Sequence, residues 1–386
     1  MIFRRLLIFG VGLSLVLNHT FAQTDYNPVY STIPYLTITP DSRGGAMGDL
    51  GVATTPDVNS QSWNPAKYAQ IKEKAGATLS FTPWLRNLVT DINLFYLAGF
   101  YKFNDKQAIS ASLKYFSMGE LVATGENPGE TYGTFNPNEF SVDVGYSRLL
   151  SRYLSGALAL KFIRSDINGG KSFAGQDYNP GYSYAADLGF YYQHPLDIGN
   201  MDGEIAWGVS FLNLGSKISY TDGSDKQFIP ATIRLGGRYT LQLDEYNSIT
   251  AAVELSKLMV PTPAIYQDTT ADPGDEPVLI SGKPTPNSLP QSWIQSFYDA
   301  PGGFNEEMKE IMYSIGMEYW YREQFAIRAG YFHESEMKGN RKYFAVGIGL
   351  KLNVFFIDYS YLISTTGKNN PLANTMRFSI GFLFNK

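Results

Sequence analysis

The side chains that could do chemistry in this 386-residue chain are few. There is no cysteine, so thiol nucleophiles, disulfide frameworks and cysteine metal sites are excluded. The histidines are His19, His194 and His333. His194 sits beside Pro195, and His333 is followed by Glu334, Ser335 and Glu336, the residue types of a Ser-His-acid hydrolase. Such catalysis needs nucleophile and base within hydrogen-bond reach, with the base oriented by a third group. Neighbours along a strand point to opposite faces, so the run reads as a solvated rim cluster. Asp268, Asp272, Asp275 and Glu276 offer the oxygens that calcium takes, but without EF-hand spacing or its turn glycine. They read as an acidic, proline-rich solvated loop. The glycine pairs carry no phosphate-loop lysine. The reading is of a protein that is not an enzyme and asks for no metal or cofactor.

The elements that position these residues are strands. Aromatics make up 15% of the chain, charged residues only 17%, and this balance favours β structure. Met376, Phe378, Ile380, Phe382 and Phe384 share one face of the last segment, and Thr375, Arg377, Ser379 and Gly381 the other. Phe344, Val346, Ile348 and Leu350 alternate with Ala345, Gly347, Gly349 and Lys351. Ile233, Leu235, Tyr239 and Leu241 alternate with Arg234, Gly236, Arg238 and Thr240. Two arginines on the inward face of one strand would be costly in a soluble core, whereas a wet lumen accepts them.

Segments of this kind fall at 76–84, 92–103, 107–118, 138–150, 152–165, 180–193, 203–214, 230–243, 248–257, 309–321, 324–333, 341–352, 354–362 and 374–386. They predict an all-β fold, a 14-stranded antiparallel transmembrane β-barrel. Short connections follow even-numbered strands and long ones, such as 119–137 and 258–308, follow odd-numbered strands. Outer-membrane barrels have short periplasmic turns and long extracellular loops, so this parity supports the count.

Residues 1–22 read as a signal peptide. Arg4 and Arg5 form the basic region, Leu6 to Leu17 the apolar stretch, and Thr20-Phe21-Ala22 the small residues before the cut. Removing them leaves 29 basic residues against 36 acidic ones, a formal charge of −7. That disfavours nucleic acid as a partner. Residues 23–75 lack period-two patterning and are expected to form an N-terminal hatch, a plug in the lumen of the barrel at 76–386. Gly44, Gly45, Gly48 and Gly51 allow close approach or positive φ, and Asn64-Pro65 can start a short helix.

Arg43-Gly44-Gly45-Ala46-Met47-Gly48 followed by Trp63-Asn64-Pro65-Ala66 resembles the amino-terminal hatch of FadL-like barrels. Gly44, Gly45, Met47, Gly48, Asn64, Pro65 and Ala66 carry that likeness. Lys67 departs from the fatty-acid transporters and agrees with the PorV family, also called LptO, of the type IX secretion system. The whole mature chain resembles that family, including Ile38 to Gly48, the turn from Gln61 to Lys67, and Phe81-Thr82-Pro83-Trp84-Leu85. The resemblance implies an outer-membrane protein that binds the C-terminal β-domain of secreted cargo. It implies as partners the translocon barrel, the cargo domains and a cell-surface sortase complex, with outer-membrane lipid around the wall. The alternative it leaves open is a FadL-like channel for small hydrophobic molecules.

The connection 258–308 holds eight of the 20 prolines, and loops of this length are functional or disordered. Ser288 can cap a helix with Pro290 in its first turn, placing Trp293, Ile294, Phe297 and Tyr298 on one face. That face is either a lid on the barrel mouth or a docking surface for a partner. The processing reading has a direct check. Amino-terminal sequencing of the purified outer-membrane protein should return Gln23 as the first residue, and retention of residues 1–22 would overturn it.

Overall fold

The structure is a computed structural model. It describes residues 26–385 except 125–130, 170–178, 222–225, 268–277 and 366–370. The signal peptide at 1–22 and the acids Asp268, Asp272, Asp275 and Glu276 therefore lie outside the described residues.

Fourteen strands close into one barrel. They are β1 (Ala75–Pro83), β2 (Asn93–Asn104), β3 (Gln107–Ser117), β4 (Asn138–Leu149), β5 (Leu154–Asp166), β6 (Gly181–Pro195) and β7 (Gly203–Gly215). The second half comprises β8 (Thr232–Gln242), β9 (Asn247–Leu258), β10 (Met312–Tyr321), β11 (Phe325–His333), β12 (Lys342–Leu352), β13 (Phe355–Ser364) and β14 (Met376–Phe384). Each strand pairs antiparallel with the next, and β1 pairs with β14 in the register Leu79↔Ile380 and Phe81↔Phe378. No sheet edge is left open, which is what a backbone surrounded by hydrocarbon requires. No helix among the described residues is long and apolar enough to cross a membrane.

The predicted alternation sets which way each side chain points. Leu235, Phe344, Val346, Ile348, Phe378 and Ile380 are exposed on the outer wall. Arg238, Ala345, Arg377 and Ser379 point inward and are buried. One expectation needs correction. Residues 309–311 do not belong to β10, because Phe304–Lys309 is a short helix and the strand starts only at Met312. Glu310 is withdrawn from the ladder by its bonds to Lys338 and Thr262.

The connections alternate in length. Asp105-Lys106, Arg322-Glu323-Gln324 and Asn353-Val354 join strands at one end. At the other end run the longer loops, two of which carry small hairpins, Leu121–Thr124 with Thr131–Phe135 and Ile265–Tyr266 with Leu279–Ser281.

Residues 33–74 pack inside the barrel, with 26–32 at its long-loop end. They form 3-10 turns at Pro34–Thr37, Val58–Ser62 and Pro65–Gln70 and one helical turn at Ser42–Ala46. Met47, Ala66, Lys67 and Tyr68 are fully buried. Packing this close demands glycine in the wall. A Cβ on Gly330 would overlap the Met47 backbone, and one on Gly48, already at φ +81°, would meet the backbone of Tyr331. Leucine at position 330 should therefore dislodge the segment at a cost of about 1–3 kcal/mol or more. Limited proteolysis of purified Gly330→Leu should cut between residues 40 and 70, while a heat-modifiability gel should still report a closed barrel.

Candidate functional site

The seam between the luminal segment and the wall is built from charge. The Arg43 guanidinium grips Glu318 on β10 in two bonds of 2.9 and 2.7 Å, and also reaches Asp57 at 2.9 Å. Glu318 is shared with Arg328 on β11 at 2.6 Å, and Arg328 extends to Asp358 on β13 at 2.5 Å. All of these side chains except Asp57 are close to fully buried. Buried charges are tolerated only when paired and hydrogen-bonded, and here each cation meets two acids. On the neighbouring strand β9, Glu254 accepts the backbone N–H groups of Gly51 and Val52 at 2.7 and 2.9 Å and is held by Arg234 at 2.6 Å. Asp49 meets Arg377 at 3.4 Å and accepts from Tyr343.

The motif residues have distinct jobs in this seam. Asp41 caps the turn at Ser42–Ala46 through the Gly44 N–H and accepts from the Trp63 indole, each at 2.7 Å. Gly44 and Gly51 leave room for that indole, since a Cβ at either would collide with it. A Cβ on Gly45 would meet Arg377. Met47 packs with Leu50 and Ala252. Asn64 accepts from Ala66 N–H at 3.1 Å, and its amide donates to Val52 and to the β6 carbonyl of Phe190 at 2.9 Å. Pro65 lies in the first turn, where a missing N–H costs nothing. Ala66 packs against Tyr191 and Ala206 of the wall. Lys67 donates to the Gly51 carbonyl and the Thr54 hydroxyl, both at 2.9 Å, so it is an internal brace.

Two cavities flank the segment. One of about 380 Å³ opens at the short-turn end and is lined by Arg43, Asp57, Glu204, Glu318, Arg328 and Asp358. The other, about 320 Å³, opens at the long-loop end beside Lys114, Trp63, Arg234, Phe332 and Arg341.

The long loop leaves and rejoins the wall beside this second mouth, which Leu258 and Met312 line. Its first helix, Leu289–Gln295, ends sooner than expected, and the Ser288 side chain makes no capping bond. Phe297 and Tyr298 follow in a turn. Ile294, Phe297 and Tyr298 are exposed and Trp293 is half-buried. The buried side chains here are polar: Ser292, Gln295, Ser296 and Asp299. Burial pushes the Asp299 carboxyl up to about 6, against the Thr262 N–H bond that lowers it. The loop is fastened by Lys257, which pairs with Glu307 and Glu310, and by Lys338, which pairs with Glu306 and Glu310. Burial works against charge on Glu306, but Lys338, the Gly302 N–H and the Asn27 amide together outweigh it and keep the carboxyl below its ordinary range.

Among the described residues, His194 and His333 join no such ion cluster. His333 stacks on Tyr313 with ring centres 4.4 Å apart, and His194 lies 4.3 Å from the Tyr153 ring.

A family model described as "Type IX secretion system protein PorV" matches residues 21–265, well over half of the chain. The chain belongs to the PorV family. No curated protein matches it. Among solved structures it is similar to the TodX deltaS2S3 mutant monoaromatic hydrocarbon channel, at 12% identity and TM-score 0.50, over 90% of this chain and 99% of that one. The toluene transporter TbuX of Ralstonia pickettii matches at 11% identity and TM-score 0.45, over 91% and 99% of the two chains. A FadL homologue of Pseudomonas aeruginosa matches at 11% and 0.41, over 93% and 99%. At this identity the TodX likeness shows the fold alone.

As a PorV-family, FadL-like barrel the protein resides in the outer membrane. Its short turns face the periplasm and its long loops the exterior. The sequence reading singled out the glycines and the Asn-Pro-Ala turn but missed their partners. Glu254, Glu318, Arg328 and Asp358 all occupy the inward phase of their strands, so ionisable residues in that phase were the available signal.

In folded barrels, cysteine replacing Ala66 or Arg234 should react slowly with bulky impermeant thiol reagents. Adding Glu318→Ala takes one of its two acids from each of two buried guanidinium groups, at a cost of about 3–5 kcal/mol. It should accelerate labelling at position 66, and rapid labelling without it would contradict the luminal packing.

Proposed function

We propose that this protein is a non-enzymatic cargo-handling barrel of the type IX secretion machinery. It binds the C-terminal β-domain of secreted cargo at the translocon barrel and delivers it to the cell-surface sortase complex. The segment at 23–75 serves as a hatch that keeps the lumen shut while cargo is handled outside it. The observation that carries the reading is the division of labour within the fold. The lumen is stitched by paired charges, and the free apolar surface lies on an extracellular loop. Membership of the PorV family supplies the system in which that surface works.

The inverted burial of the loop favours a docking surface over a lid. A lid would bury Ile294, Phe297 and Tyr298 against the mouth, yet these residues are exposed and Ser292, Gln295, Ser296 and Asp299 are buried. A few large apolar anchors with a polar surround are the usual make-up of a binding hot spot.

The two cavities on either side of the luminal segment favour a second reading, a channel for small hydrophobic molecules. The periplasmic one is lined by Val58, Trp320, Phe356 and Leu383 as well as by ion pairs, so an apolar ligand there would meet apolar wall but would also desolvate those pairs at a cost.

Replacing Phe297 and Tyr298 together with Ala should leave heat-modifiability unchanged, since barrel closure rests on strand pairing. It should weaken capture of a purified cargo C-terminal domain or the translocon barrel by about 2 kcal/mol or more. The same loss is expected for Trp293→Ala with Phe297→Ala. Full recovery of both partners by the folded double variants would move the binding surface to other loops.

A further inference from the structure

The luminal segment enters β1 at the periplasmic rim, where the Lys74 N–H donates to Phe384. Traced backwards from there, it climbs the whole lumen. Gln70 bonds to the Tyr153 carbonyl and the Ser155 hydroxyl beside a periplasmic turn. Ser42 meets Ser379 on the β14 wall. The carbonyls of Leu36 and Ile38 accept from Lys114 near the outer end of β3. The Thr32 N–H donates to Phe228 in an extracellular loop at 2.8 Å. Asn27 then reaches the acid cluster that fastens the long loop.

We infer that the chain at Tyr26 emerges on the outside of the cell, and that residues 27–33 form a strap binding the long extracellular loop to the luminal segment, so that the two move as one unit.

Both ends of the strap are pinned. At one end Lys338 donates to the Asn27 carbonyl at 2.8 Å, to Glu306 at 2.5 Å and to Glu310 at 2.8 Å. An ammonium has three N–H donors, so this set is complete. The Asn27 amide donates in turn to Glu306 at 3.1 Å and to the Pro263 carbonyl at 3.3 Å. The strap, the β11–β12 loop and two points of the long loop thus meet on one lysine. At the other end Ile33 is 1% exposed among Tyr35, Leu36, Leu94 and Ile163. Its φ is +64°, a conformation that a β-branched residue adopts only where its surroundings impose it. Between the pins, Tyr30 is 71% exposed, and Tyr26 beyond them 70%.

The inference goes beyond the cargo-handling reading, because the topology and the tie stand whatever docks on the loop. The cysteine-free sequence makes single-cysteine probes clean. Tyr26→Cys should be labelled by a membrane-impermeant maleimide on intact cells, whereas Lys72→Cys, exposed at the periplasmic end, should be labelled only after permeabilisation. Protection of Tyr26→Cys until permeabilisation would overturn the topology. Coupling is read by Lys338→Met in the full-length protein, with a heat-modifiability gel confirming a folded barrel. Loss of one partner from a buried ion cluster should raise protease cutting between residues 278 and 303 and the labelling rate of Ser31→Cys together, each by about tenfold or more. Release of the loop with the Ser31→Cys rate unchanged would overturn the strap, as would a folded Lys338→Met barrel in which neither changes.

Discussion

A backbone N–H or C=O without a partner costs several kcal/mol in hydrocarbon, and the rest of this structure follows from avoiding that cost. Fourteen strands in sequence order, with β1 returned to β14, leave no edge unpaired. Closure in turn divides the side chains. One row of each strand must suit lipid, and the other is confined to a lumen that lipid cannot reach. Most of the apolar row is therefore spent on the outside, and the inside holds its plug with polar groups as well as apolar patches.

A polar seam works beside apolar clusters. Ile33, Tyr35 and Leu36 pack with Leu94, Ile163 and Ile229, Val58, Tyr68 and Ile71 with Phe100 and Ala108, and Met47 and Leu50 with Ala252. The polar grip comes from Arg43 on Glu318, Glu254 on two backbone N–H groups, and Asp49 between Arg377 and Tyr343. A seam of this kind is specific, since each bond fixes a distance and an angle. It is also demanding, because removal of one partner strands another charge away from water. The glycines of wall and segment belong to the same design. They let backbones approach closely enough for side chains such as Glu254 and Asn64 to reach main-chain groups across the gap.

The same logic operates at the extracellular end. The long loop leaves its aromatic residues outside and uses polar groups for attachment, with Lys257 and Lys338 gathering Glu306, Glu307 and Glu310. An apolar surface not consumed by folding is free for recognition. Attachment through a few ion pairs fixes where that surface stands without covering it.

The period-two alternation and the parity of connection lengths were enough to read the barrel from sequence, because lipid and lumen impose opposite demands on successive residues. Leu235 beside Arg234, and Phe378 beside Arg377, are local statements of that rule. The glycine-rich element and Asn64-Pro65-Ala66 were likewise visible, since turn geometry and close approach restrict residue type at those positions. What the sequence left open was pairing across distance. Nothing in the neighbourhood of Arg43 announces Glu318, 275 positions away, and nothing near Asn27 announces Lys338. The helix that shortens β10 at Met312 had the same origin, because Glu310 serves residues on other loops. The tertiary structure alone decided that Ile294, Phe297 and Tyr298 stay exposed. Period and propensity fix the faces of an element, but only the packed chain fixes which face finds a partner.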